Sequence, residues 1–331
     1  MGGKRPNALS SGRHASFIWR SQGTDKTGSD AISGTVAMPP LPPIRANLTH
    51  DGLSLDHDRL FRALDALPEG APVVALVHGY SFSPGLGRDC PHRHILALDP
   101  DVADAKAISW PRHLGLDGRR GLAIAFGWHA RGNLWQAHAN AARAGAALAE
   151  LAGILRAQGR CLDVVAHSLG ARVALAALHE AGAGDLRHLI LLAGAEARGL
   201  ALAALDSPAG RAASIVNVAT RENDLFDACF EWLVHGGMRT SIGQGLGQTR
   251  PNWRDLWIDS PLTLGALSRM GHEVSPACKR VSHWSPYLRP GVLAVYRAVL
   301  SGDLPVSALP HPSPSRRWSR LVAVRSSVAT A

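Results

Sequence analysis

Residues 161–180 read CLDVVAHSLGARVALAALHE, which has the order strand, turn, helix. The run Cys161–Ala166 is short and apolar, as is typical of a central strand in a parallel sheet covered on both faces. The segment Leu169–Glu180 has the composition of a helix. The turn between them, Ala166–Gly170, is a small-x-Ser-x-Gly sequence with Ser168 at its centre. A serine in this context is a candidate nucleophile, and a serine that caps the helix is the alternative.

Short apolar runs of the same kind recur along the chain. They are Pro72–Val77, Leu122–Phe126, His188–Ala193 and Ala213–Ala219. From Ala137 to Leu155, apolar residues recur at steps of three and four, which predicts an amphipathic helix. Alternating strands and helices imply right-handed crossovers and an α/β fold with a mostly parallel, doubly wound sheet and flanking helices. Ligands of such sheets bind at the carboxyl ends of the strands, so we expect the chemistry directly after each run.

Length and composition limit the domain organisation. The chain has 331 residues, of which 46% are hydrophobic and 18% charged, and this predicts a globular protein with a full core. We predict a disordered basic and Pro-rich arm at 1–45, a single domain at 46–302 and a disordered Pro/Arg-rich tail at 303–331. Within the domain, residues 228–280 are a candidate lid or pocket segment, since three of the nine Trp residues lie there.

The net charge of +9 lies mainly at the two ends of the chain. Residues 1–45 carry +4 and residues 303–331 carry +3, which leaves +2 on the domain. A nucleic-acid groove places its charge on the folded body, so the distribution argues against that partner and leaves binding through the arms as an alternative.

The sequence contains no motif for membrane insertion, secretion or cysteine pairing. No apolar stretch approaches the roughly 20 residues of a membrane span, and residues 1–30 lack the apolar core of a signal peptide. The four cysteines form no C-x-x-C pair. We therefore expect a cytoplasmic protein without a transmembrane segment.

A serine nucleophile needs a base that takes its proton and an acid that orients the base. In a sheet of this kind the chain order is Ser, then Asp or Glu, then His. Asp224 follows the run Ala213–Ala219 by a few residues and is the predicted acid. His283 precedes the last predicted helix and is the predicted base. The alternatives are Glu222 and Asp227 for the acid, and His235 and His272 for the base.

A tetrahedral oxyanion also needs backbone N–H donors. The residue after the nucleophile, Leu169, is expected to supply one of them. The other is expected from the loop after the run Pro72–Val77, where Gly79 lets the backbone bend and Tyr80 carries the N–H group.

Together these motifs resemble the α/β-hydrolase superfamily over about residues 70–302, and more closely a bacterial subfamily of unknown function. The segments that carry the resemblance are Leu76–Tyr80, Phe126–Trp128, Ala166–Gly170 and Asn223–Asp224. The resemblance implies the α/β-hydrolase fold, Ser168 as nucleophile, Asp224 as acid and His283 as base. It also implies the amides of Tyr80 and Leu169 as the oxyanion hole. Members of the superfamily mostly cleave esters, thioesters or amides without a metal, so we expect no cofactor and no metal.

The predicted function is a serine esterase-type hydrolase. It would cleave a carboxylic ester of a small-molecule substrate through a Ser-His-Asp catalytic triad and an acyl-enzyme intermediate. The alternatives are a thioesterase or an acyltransferase on the same triad, and a non-catalytic hydrolase-like binding or scaffold protein.

Overall fold

An eight-stranded sheet forms the centre of the fold in the computed structural model, which describes Gly2 and residues 39–322. The strands are β1 (Ile44–Thr49), β2 (Gly52–Leu55), β3 (Val73–Val77), β4 (Leu122–Gly127), β5 (Leu162–His167), β6 (Leu186–Leu192), β7 (Ser214–Ala219) and β8 (Trp253–Trp257). Their order in the sheet is β2-β1-β4-β3-β5-β6-β7-β8. β1 and β2 pair antiparallel, and every other neighbouring pair is parallel. The predicted mostly parallel sheet of an α/β fold is thereby confirmed.

Helices cover both faces of this sheet. They are α1 (His57–Asp65), α2 (Trp110–His113), α3 (Leu134–Ala157), α4 (Gly170–Glu180), α5 (Arg198–Leu205), α6 (Pro208–Ala212), α7 (Asp224–His235), α8 (Pro261–Arg269), α9 (Ser285–Leu288) and α10 (Val292–Ser301). All five residues of β3 are buried, and they alternate between two apolar clusters. Val73, Ala75 and Val77 pack with α3 and α4, whereas Val74 and Leu76 pack with α2 and α10. Because helices cover both faces of the sheet at β3, every residue of this strand is apolar.

The two ends of the chain fall only partly within the described residues. Most of the arm at 1–45 lies outside the described residues, and Ile44 and Arg45 already belong to β1. Residues 303–322 of the expected tail include two anchored side chains. Leu304 and Leu309 are buried there, because they pack against the α10 side of the sheet. Proline and arginine content alone did not indicate these anchors.

The helices of the described residues include none that combines the length and the apolar character of a membrane span. The segment 228–280, a candidate lid, contributes to the sheet itself. It contains β8, in which Trp253 and Trp257 are buried, while Trp232 of α7 is 71% exposed.

Candidate active site

Ser168 stands at the turn between β5 and α4, in a conformation that non-glycine residues rarely adopt. Its φ is +55°, in the left-handed region. The turn is held on both sides, because Ser168 N–H donates to Leu192 O and Ser168 O accepts from the N–H groups of Ala171 and Ala195, each at 3.0 Å. The predicted strand–turn–helix context is therefore present, and its central residue is the one with the unusual backbone.

Two glycines allow the loop after β3 to touch this turn. A Cβ on Gly170 would lie 2.8 Å from the carbonyl oxygens of Val77 and His78. A Cβ on Gly79 would lie 2.7 Å from Cβ of Ser168. Both distances are shorter than van der Waals contact, so only glycine fits at these positions.

His78 and Trp128 fix the shape of the loop after β3. His78 Nδ1–H donates to Gly79 O at 2.9 Å, and His78 Nε2 accepts from Trp128 N–H at 3.1 Å. The indole N–H of Trp128 donates to His78 O at 3.1 Å, and the two rings stack. Burial lowers the pKa of His78 to about 3, so the ring is neutral and can hold both bonds. This role of His78 could not be predicted from its motif, because it depends on the contact with Trp128, directly after β4.

Tyr80 and Leu169, the two residues expected to supply backbone donors, line the same cavity as Ser168. The Tyr80 hydroxyl donates to Gly132 O at 2.6 Å, which anchors that side chain. Among the residues that the structure describes, the backbone N–H groups of Tyr80 and Leu169 have no hydrogen-bond partner. Both N–H groups are therefore able to donate to a ligand in the adjacent cavity.

A cavity of about 1000 Å³ lies over the carboxyl ends of the strands, and Ser168, Leu169, Tyr80 and His283 all line it. Its apolar walls are Phe82, Leu134, Phe226, Phe230, Trp284 and Tyr287. The loop between β3 and β4 adds charged side chains, which are Arg88, Asp89, Arg93, Asp101, Asp104 and Lys106. The sequence analysis missed this loop, because nothing in its polar composition indicates that it folds back over the sheet. The candidate lid at 228–280 contributes Cys229, Phe230 and Leu233.

The ring of His283 is held between two aromatic neighbours. The ring of Phe226 stacks on it and that of His167 lies tilted against it, both with centroids 4.6 Å away. His167 Nε2–H donates to His283 O at 3.1 Å. Burial lowers the pKa of His283 well below its usual value and that of His167 to about 4, so both rings are neutral at pH 7. A neutral imidazole is the form that can accept a proton.

Asn223 is the hydrogen-bond partner of His283. Its Oδ1 lies 2.7 Å from His283 Nδ1, and its Nδ2–H donates to Asp227 Oδ1 at 2.9 Å. The second bond orients the amide with its NH₂ group towards Asp227, since the amide nitrogen is the donor and the amide oxygen carries no proton. Asn223 Oδ1 then faces His283 and accepts from Nδ1–H. His283 Nε2 therefore carries the free lone pair.

Asp224, the predicted acid, is not brought to His283. Its Oδ1 accepts from Arg221 at 3.0 Å and from Gln244 at 3.1 Å, and its Oδ2 accepts from Trp318 N–H at 2.7 Å. The reason is the start of α7 at Asp224: neighbouring residues there point about 100° apart, so Asn223 faces His283 while Asp224 faces the C-terminal segment.

The alternatives of the sequence analysis lie in different places. Glu222 forms a buried ion pair with Arg289. Asp227 lines the cavity and reaches His283 through Asn223. His235 ends α7 and His272 follows α8, and neither lines the cavity.

Ser168 and His283 share the cavity wall, and no hydrogen bond joins their side chains within the described residues. A nucleophile–base bond often tightens only when a substrate binds. No protein-family model and no curated protein matches this sequence.

The carboxyl group of Asp227 should make stability depend on pH. Burial raises its pKa to about 7, the nearby carboxylates of Asp224 and Glu231 add to this, and Arg317 and Gln244 oppose it. In the unfolded chain the group titrates near 3.8. Between these values the folded protein holds a proton that the unfolded chain has lost. The free energy of unfolding should therefore fall as pH rises from about 4 to 7.

We expect Asp227→Asn to remove this contribution. Urea unfolding at pH 5 and pH 8 should show that wild type loses about 2.7 kcal/mol more than the variant, since roughly two pH units between 5 and 7 contribute and each corresponds to about 1.4 kcal/mol. Parallel pH profiles for the two proteins would mean that Asp227 is ionised throughout.

Proposed function

We propose that the protein is a serine hydrolase of the α/β-hydrolase type that cleaves a carboxylic ester, with Ser168 as nucleophile and His283 as base. The observation that carries the proposal is the conformation of Ser168. Its φ of +55° at a strand–helix turn presents the hydroxyl to a cavity that His283 also lines. A serine that merely capped α4 would accept a bond from the first turn of the helix, and α4 has no such side-chain bond.

The proposed reaction runs in two stages. Ser168 Oγ attacks the acyl carbon while its proton moves to His283 Nε2, and the oxyanion accepts bonds from the N–H groups of Tyr80 and Leu169. His283 then gives that proton to the leaving alcohol as the ester bond breaks. In the second stage, His283 takes a proton from water as the water attacks the acyl-enzyme. The acid is released when the proton returns to Ser168.

Asn223 takes the place of the predicted acid in this scheme. An amide oxygen can hold Nδ1–H of His283 and so keep the correct tautomer, as a carboxylate does. It carries no full charge, so it stabilises the imidazolium less than a carboxylate would. The Asp227 carboxyl group behind it supplies part of the missing charge when ionised. We therefore propose a Ser-His-Asn set in place of Ser-His-Asp.

The cavity suggests the class of substrate. Aromatic and aliphatic walls suit an apolar acyl chain, and 1000 Å³ is at the upper end of volumes for small-molecule sites. The charged loop between β3 and β4 stands at the same cavity, where polar parts of the substrate would lie. A small-molecule ester fits this distribution.

The test is labelling with a fluorophosphonate, which reacts with activated serines. We expect one adduct, mapped by peptide mass spectrometry to Ser168 and absent from Ser168→Ala. Ser81→Ala is the matched control, since Ser81 also lines the cavity and also has a positive φ, of 79°. Labelling of this control should be unchanged. A folded wild-type protein that takes no label, or takes it at another residue, would favour a non-catalytic binding protein.

A further inference from the structure

A second cluster of chemically capable side chains lies behind the cavity wall. It consists of His138 of α3, His235 at the end of α7 and Glu196 between β6 and α5. One ligand atom from each residue lies within 4.8 Å of the others. The ring of Phe230, which lines the cavity, lies 6.0 Å from that of His138 and 5.4 Å from that of His235. The cluster is thus separate from Ser168 and takes no part in the proposed reaction.

Each of the two histidines has a buried ring nitrogen that is not used in a hydrogen bond within the described residues. Nε2 of His138 and Nε2 of His235 are both buried, and neither has a hydrogen-bond partner among the described residues. Buried polar atoms are normally bonded, so a pair of unpartnered nitrogens in one cluster calls for an explanation. Burial lowers the pKa of His138 to about 4 and also lowers that of His235, and nearby guanidinium groups add to both effects. Neutral imidazole is the form that binds metals.

Glu196 completes the set with a carboxylate that is only 2% exposed. Its Oε2 accepts from Arg172 at 2.5 Å and its Oε1 accepts from Ala197 N–H at 2.7 Å. Each oxygen has two lone pairs, so each retains one acceptor position. The bonds hold the carboxylate in place, as bonds around a metal ligand commonly do.

We propose that His138, His235 and Glu196 form a binding site for a divalent transition-metal ion of the Zn²⁺ type. Two imidazoles and one carboxylate are an established donor set for zinc that leaves a coordination position open. The two histidines also line a surface pocket of about 610 Å³, which gives an ion a route to the site. The resemblance to α/β hydrolases gave no expectation of a metal, so this site goes beyond the proposed function.

The donor atoms, rather than the surrounding charges, select the kind of ion. Arg172 is paired with Glu196, and Arg239 lines the pocket beside His235, so the surroundings are not acidic. Ca²⁺ and Mg²⁺ need several oxygen ligands and should not bind here. Imidazole nitrogen suits Zn²⁺, Ni²⁺ and Co²⁺ instead.

An ion at this site would join α3 to the C-terminal end of α7. Asp227 lies in the first turn of α7, and Asn223 directly precedes the helix. These two residues are hydrogen-bonded in series to His283, so an ion that fixes α7 would also fix the position of His283. Binding to the native state alone stabilises it by mass action. We expect saturating Zn²⁺ to raise the Tm of the full chain by about 5 °C.

The test uses the full chain after treatment with a chelator and dialysis. Isothermal titration should show one Zn²⁺ site, Co²⁺ should give d–d absorption bands of a four- or five-coordinate site, and Mg²⁺ and Ca²⁺ should give no signal. His138→Ala and His235→Ala should each weaken Zn²⁺ binding at least about 100-fold, and Glu196→Gln about 10-fold. Circular dichroism checks that each variant is folded, and His235→Gln replaces His235→Ala if the alanine variant is not.

Two controls make the result specific. The chain has 16 histidines, so His179→Ala, an exposed histidine on α4, should leave Zn²⁺ binding unchanged. Ser168→Ala should also bind Zn²⁺ normally, which separates this proposal from the proposed function. No Zn²⁺ binding by wild type would overturn the proposal. Undiminished binding by the folded double variant of His138 and His235 would do the same.

Discussion

Replacement of Asn223 by alanine is expected to lower the kcat/KM of ester hydrolysis by about 10²–10⁴-fold, the range expected when a catalytic histidine loses its orienting partner. The alanine removes the oxygen that accepts from His283 Nδ1–H at 2.7 Å. The ring can then take up the wrong tautomer or rotate between Phe226 and His167. The loss should appear mainly in kcat, because Asn223 acts through His283 rather than on the substrate.

Asn223→Asp is the conservative partner of this variant. Its carboxylate can still accept from His283, so activity should return to within about 10-fold of wild type. The new carboxylate would face Asp227, whose pKa burial already raises to about 7. Two carboxyl groups at this distance share a proton, so Asp227 should stay protonated and donate to the new side chain. The pH profile of kcat should shift in this variant, which a merely structural role of Asn223 would not produce.

Asp224→Asn distinguishes the two candidate partners of His283. If Asp224 is not the orienting acid, the variant should keep kcat/KM within about 3-fold at a temperature where it is folded. It should lose stability, because the buried guanidinium of Arg221 loses its charged partner. A loss of about 10⁴-fold in Asp224→Asn, with Asn223→Ala nearly unaffected, would reverse the assignment.

The turn at Ser168 could be predicted from the sequence because its determinants are local. An apolar strand, small residues two positions before and after the serine, and a helix behind it lie within twenty consecutive residues. The loop after β3 could be predicted for the same reason, since Gly79 and Tyr80 follow the strand directly. The parallel pairing of β3 with β5 then brings Tyr80 and Ser168 to one cavity.

The partner of His283 could not be predicted in this way. Asn223 and Asp224 are adjacent, and only the first residue of α7 decides which of them faces the cavity. A boundary error of one residue is ordinary in reading a sequence. The position of the C-terminal segment could not be predicted either. The hydrogen bond from Trp318 N–H to Asp224 joins residues far apart in the chain, so no local sequence pattern indicates it.

The second large effect is expected at Glu222, whose side chain is 1% exposed and pairs with an Arg289 side chain that is 4% exposed. Its Oε1 also accepts from Lys279 N–H at 3.0 Å, and its backbone oxygen accepts from Ser282 N–H at 2.8 Å. Glu222 thus ties the end of β7 to the loop that carries His283. Glu222→Ala should lower the free energy of unfolding by about 3–5 kcal/mol, because it leaves a buried guanidinium without its counter-charge.

A double-mutant cycle with Arg289→Met measures how much of that loss comes from the ion pair. Met has a similar length and no charge, so Glu222→Ala combined with Arg289→Met leaves no buried charge unpaired. The double variant should be more stable than Glu222→Ala alone, with a coupling energy of about 1–3 kcal/mol in urea unfolding. If the two losses simply add, the ion pair contributes nothing, and the bonds to Lys279 and Ser282 hold the His283 loop by themselves. If the coupling energy is in the expected range, the Glu222–Arg289 ion pair helps to hold His283 in place. Glu222→Ala should then lose part of its activity, and adding Arg289→Met should reduce that loss.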